Sequence, residues 1–109
     1  MEAKKLTKCD PGMSCSIEKA IEIIGSKWMF LIIRDLLLDG PRRFGDLLKS
    51  LEGISPKTLS VRLKELERHD IVNRTVFPEI PPHVEYSLTE KGKQLESIFV
   101  ELKMWGETL

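Results

Sequence analysis

Two short amphipathic stretches joined by a tight glycine turn constrain this chain more than any other feature. Phe44, Leu47, Leu48 and Leu51 recur at i, i+3, i+4 and i+7, which makes one face of a helix apolar. Glu52-Gly53-Ile54 interrupts that period and Ser55-Pro56 restarts it. Serine is a good N-cap, and proline suits the first helical position because its missing N–H has no partner there anyway. The second stretch runs to about His69 and turns Leu59, Leu63 and Leu66 to one side. Two helices joined by so short a turn form a helix-turn-helix.

The flanking segments extend the pattern. Ile17, Ala20, Ile21 and Ile24 mark a helix that starts near 14–16 and ends at Gly25. Ser26 caps another over about 27–39, apolar on most faces and expected to be the spine of the core, and Asp39-Gly40-Pro41 stops it. Beyond His69 the period drops from 3.6 to 2. Val84, Tyr86 and Leu88 alternate with His83, Glu85 and Ser87, which predicts a half-buried strand, and the β-rich run 71–77 is its partner. Three prolines in the connecting Pro78-Glu79-Ile80-Pro81-Pro82 exclude helix there. Thr89 caps a last helix, with Leu95, Ile98, Phe99, Leu102 and Trp105 expected on one face. The fold class is mainly α with a small β-hairpin wing, a winged helix-turn-helix. The expected layout is a mobile arm over 1–14, then one domain over 15–109. Within it the helix-turn-helix covers about 44–69, the wing about 71–88 and the C-terminal helix about 89–109.

A chain of 109 residues suffices for one core. No apolar stretch follows the basic N-terminus, and the most apolar run, Trp28 to Leu38, carries Arg34 and Asp35. A signal peptide and a membrane span are therefore not expected, and a cytoplasmic location is. Neither Cys9 and Cys15 nor His69 and His83 have zinc spacing, so no metal is expected. With no glycine-rich phosphate loop and no nucleophile–histidine pair in a recognisable setting, neither a cofactor nor catalysis is expected.

Formal net charge is zero, but its distribution is uneven. From Pro41 to Lys64 six cations face two acids, whereas from Glu65 to Leu88 two face five. Local charge decides where a polyanion docks. In a helix-turn-helix the second helix enters the major groove, its N-terminal residues meeting base edges. The non-core positions there are Ser55, Lys57, Thr58, Ser60 and Val61, followed by Arg62 and Lys64. Short hydroxyls and the threonine methyl approach bases closely, while Lys57 and Arg62, both expected on the exposed face, reach guanine or phosphate. Arg42 and Arg43 are placed to grip the DNA backbone, and the wing would rely on shape, Arg74 and His83. The expected partner is double-stranded DNA. The alternative is a winged helix used for protein contacts, for which those cations serve no purpose.

The strings CSIEKAIEIIGSKW, LIIRDLLLDGPRRFGDLLKSLEGISPKTLSVRLKELERHDIV and RTVFPEIPPHVEYSLTEKG strongly resemble the HxlR-type regulators, winged-helix transcription factors related to the MarR group. The resemblance runs from about Cys15 to Leu95. It implies a homodimer held by the N- and C-terminal helices, here through Ile17, Ile21, Leu95, Ile98, Phe99, Leu102 and Trp105, acting on an inverted-repeat operator, with repression the expected effect. A stripe ending in Trp105 that so short a chain cannot easily cover supports the dimer separately. Family members commonly carry arginine where this chain has His83, whose charge varies near neutral pH. In several relatives a cysteine just before the first helix senses oxidants or electrophiles, and Cys15 matches that position. A thiol at a helix N-terminus with Lys19 one turn along has a stabilised thiolate. Cys9 is the candidate resolving thiol. A small molecule at the apolar dimer interface, or no signal, are the rival inputs.

Overall fold

The computed structural model describes residues 16–109. The expected arm and both thiols, Cys9 and Cys15, lie outside the described residues. In chain order the elements are α1 (Ser16–Ile24), α2 (Lys27–Asp39), β1 (Arg42–Arg43), α3 (Phe44–Ser50), α4 (Pro56–Arg68), β2 (Val72–Phe77), β3 (His83–Leu88), α5 (Glu90–Lys93) and α6 (Glu96–Gly106).

The spine is α2. Ser26 caps it by accepting from the Met29 N–H at 3.3 Å, and Gly40 ends it at φ 74°, its N–H donating to the Leu36 carbonyl. Met29, Ile32, Ile33 and Leu36 are buried along α2, and Leu47, Leu51, Leu59, Leu63, Leu66 and Val72 close around them. The turn between α3 and α4 passes through Gly53 at φ 93°, a left-handed conformation that side chains resist, and tucks Ile54 inward.

The wing is larger than the expected hairpin. Arg42–Arg43 form a third strand, giving the order β1-β3-β2, with Arg42 opposite Tyr86 and Arg43 opposite Glu85. Two residues have no period to read. The expected in–out alternation of β3 is absent. His83 to Ser87 are all half-buried and only Leu88 is fully buried, because this middle strand has neighbours on both edges.

The expected single C-terminal helix over 89–109 is two. Thr89 caps α5 as foreseen, its hydroxyl accepting from the Gly92 N–H at 3.0 Å and donating to the Asp70 carbonyl at 2.7 Å. Gly92 lies against the Ile71 carbonyl, where a Cβ would collide with that oxygen. Leu95 then donates its N–H to Gly92, three residues back, so the helix tightens for one turn before α6 begins.

One buried charge went unanticipated. Asp35 is 3% exposed on α2; its carboxylate accepts from the Ser50 hydroxyl at the end of α3 and from Arg34 at 2.9 and 3.1 Å. Arg34 is half in solvent, so its contact adds little; the α2–α3 link is the stabilising part. Asp35→Ala is expected to lower unfolding free energy by about 1–2 kcal/mol, read from urea denaturation, and Ser50→Ala by less. A Asp35→Ala midpoint equal to wild type would show that the link carries no stability.

Candidate nucleic-acid interface

The reading surface follows from how α4 is seated. The Ser55 hydroxyl accepts from the Thr58 N–H at 3.1 Å and donates to the Thr58 hydroxyl at 2.9 Å, with Pro56 in the first turn. Both hydroxyls are thus engaged in starting the helix. Leu59, Leu63 and Leu66 point into the core. At 100° per residue the opposite face carries Lys57, Val61, Lys64 and Arg68, and all four are exposed. Lys57, Lys64 and Arg68 have no ion-pair partner among the described residues.

Arg62 does not share that face. It lies on the flank of α4, half-buried, bound to Glu65 at 3.0 Å, with its Nε buried and unpartnered. Ser60 and Thr58 are also half-buried. Thus the expectation that the fold exposes Lys57 and Arg62 alike holds for Lys57 alone.

The flanking cations divide the same way. Arg42 is bound to Asp39 at 2.6 Å and reaches the Asp46 carbonyl at 3.2 Å. Arg43 is exposed and without an ion pair among the described residues; only its backbone N–H is held, by Asp46. On the wing, Arg74 is exposed and unpaired in the same sense. His83 is enclosed instead: Nδ1 lies 3.0 Å from Glu79, Nε2 lies 3.1 Å from Glu85, and the ring stacks on Phe77 at 4.6 Å. The wing tip beyond it presents a fully exposed Ile80. Sequence reasoning missed Arg68 and gave Val61 no role, although the spacing 57, 61, 64, 68 is a helical period.

Away from α4, the expected interface residues separate. Leu95 and Phe99 pack on the chain's own core, Phe99 against Phe30 of α2 with ring centroids 4.8 Å apart. Ile98, Leu102 and Trp105 stay exposed, as do Ile17 and Ile21 of α1. The five positions of α6 and its lead-in span about 120° of helix circumference, so only one edge of that stripe reaches α2. Between α2 and α6 runs an apolar groove of about 530 Å³, lined by Phe30, Leu31, Leu37, Leu38, Phe99 and Val100 among others. Among the described residues no group of three or more His, Cys, Asp or Glu side chains is placed to hold a metal, and no helix is long and apolar enough to cross a membrane.

The model of the HxlR-like helix-turn-helix family matches residues 23–109. The chain is 44% identical over 95 residues to the HTH-type transcriptional regulator YodB of Bacillus subtilis, covering 87% of this chain and 84% of that protein. Its structure is similar to reduced YodB (TM-score 0.76, 43% identity, 89% of this chain and 95% of that one). It is also similar to the redox regulator HypR in its oxidized form (TM-score 0.80, 39% identity, 87% and 97%). YodB has also been solved after diamide treatment and with quinone bound.

The division of cations predicts how binding responds to salt. Lys57→Ala and Lys64→Ala should each weaken DNA binding and lower the slope of log K against log salt by about 1. Arg62→Ala should change the slope less. Fluorescence anisotropy across a salt series measures this, and equal slopes for all three variants would contradict the assignment.

Proposed function

We infer that this chain, which belongs to the HxlR-like helix-turn-helix family, acts as a homodimeric repressor on an inverted-repeat operator. It is a DNA-binding transcriptional regulator; dimerisation, the direction of regulation and the residues used are the proposal. Lys57, Lys64 and Arg68 on α4 form the major-groove contact, Arg43 and Arg74 grip phosphates, and Arg42, Arg62 and His83 hold the frame around them.

The observation that carries the dimer is α6. This 11-residue helix contains six apolar side chains, yet none of its residues is buried. A face bearing Ile98, Leu102 and a 62%-exposed Trp105 is costly to leave in water, since full burial of one large apolar side chain is worth about 1.5–3 kcal/mol. A two-fold partner would cover it and bring two copies of α4 onto successive turns of one DNA face. Trp105→Glu is expected to give a folded monomer by light scattering and circular dichroism, with operator affinity reduced at least ten-fold. A variant that remains dimeric would remove α6 from the interface.

The input proposed is thiol oxidation at Cys15, which directly precedes α1 in sequence. Support comes from the redox regulator HypR and the diamide-treated and quinone-bound forms of YodB, together with the position of the thiol. Diamide would take two electrons and two protons from a pair of thiols, leaving a disulfide and the reduced hydrazine; Cys9 or a second Cys15 supplies the other sulfur. Cys15→Ser should bind DNA as wild type does and lose the diamide response. Should it respond normally, the sensor is elsewhere. If wild-type binding itself ignores diamide, the groove between α2 and α6 favours the second reading, a small apolar effector that acts through unequal affinity for the two states.

A further inference from the structure

One residue on the outward face of α4 neither carries charge nor holds the fold. Val61 lies about half a turn around the helix from the Leu59–Leu63–Leu66 stripe and is 44% exposed. Lys57 precedes it by one turn and Lys64 follows three residues later, both exposed. Valine is a poor local choice for a solvated helix position, because its branched Cβ loses rotamer freedom there. Lys57 and Lys64 are separated by about 10 Å of helix axis, or about three base-pair steps of about 3.4 Å. Val61 occupies the middle of that span.

We propose that Val61 reads a thymine, packing its isopropyl group on the C5-methyl in the major groove. The inference rests on α4 entering that groove, as proposed above. The thymine methyl is the apolar group on the major-groove edges of the bases, which otherwise present ring acceptors, carbonyls and amino groups. A valine held against those polar groups would displace their water and return no hydrogen bond. Val61 therefore favours T·A over the other pairs at one position in each half-site. The nearby Thr58 methyl does not compete for this role. Thr58 stands about 60° around the helix from Val61 on the side nearer the core, half-buried, its hydroxyl tied to Ser55.

The test uses the full-length protein and an operator isolated by selection from random duplex DNA. Each thymine is then replaced singly by uracil, which removes the methyl and leaves the hydrogen-bonding edge intact. Wild type should lose about four-fold in affinity at one position per half-site, the worth of about one buried methyl. Val61→Ala, which removes the contact from both protomers, should be about sixteen-fold weaker on the parent operator and indifferent to uracil at that same position. Alanine is the better helix former, so the variant should melt no lower than wild type. A Val61→Ala protein that keeps the full uracil sensitivity overturns the proposal, as does a selected operator in which no thymine-to-uracil change matters. Failure of wild type to select any duplex would instead overturn the docking of α4 itself.

Discussion

The burial of α2 is the constraint on which the rest depends. Ile32 and Ile33 are fully excluded from water, with Met29 and Leu36 nearly so. A helix apolar on most of its circumference must be covered on several sides, and α3, α4 and the base of the wing do this with Leu47, Leu51, Leu59, Leu63, Leu66 and Val72. The demand orients α4. Once three leucines face inward, the 3.6-residue period leaves Lys57, Val61, Lys64 and Arg68 facing out. The surface proposed to face DNA is thus a geometric consequence of core packing.

Charge pairing then sorts the cations by availability. Ion pairs near a surface contribute little to stability, but they decide which groups meet a phosphate without first giving up a partner. Arg42, Arg62 and His83 have carboxylates within reach, whereas Arg43, Lys57, Lys64 and Arg74 have none among the described residues. The zero net charge of the chain is compatible with a polyanion partner for this reason. Several of its acids are engaged in holding side chains around the reading helix rather than opposing it. His83 is enclosed by Glu79, Glu85 and Phe77, so the wing offers shape, Arg74 and an exposed isoleucine.

The C-terminal helix shows the same sorting of apolar residues. Phe99 meets Phe30 of α2 and Leu95 packs on the core, while Ile98, Leu102 and Trp105 remain outside. A helix held along one edge in this way leaves an apolar face exposed. Because α2 packs on α1, α3 and α4 as well, the face proposed for dimerisation and the face proposed for DNA are joined through the same helix.

The sequence by itself determined the helices, their caps and the hairpin, because these follow from period and from side chains a few residues apart. Ser26, Ser55 and Thr89 all cap where the spacing placed them. The ion pairs of Arg42, Arg62 and His83 join residues two to four apart, yet by sequence all three groups are expected to meet DNA and only the structure shows them paired. Other features needed partners far along the chain, and only the tertiary structure decided them. Arg42–Arg43 became a strand because Tyr86 and Glu85 lie beside them, and Asp35 became a buried link because Ser50 arrives from α3. The last helix tightens where Gly92 meets Ile71, and the apolar stripe of α6 is divided where Phe30 reaches Phe99. Local spacing specifies which face of an element is apolar, but what covers that face depends on contacts formed only when the chain closes on itself.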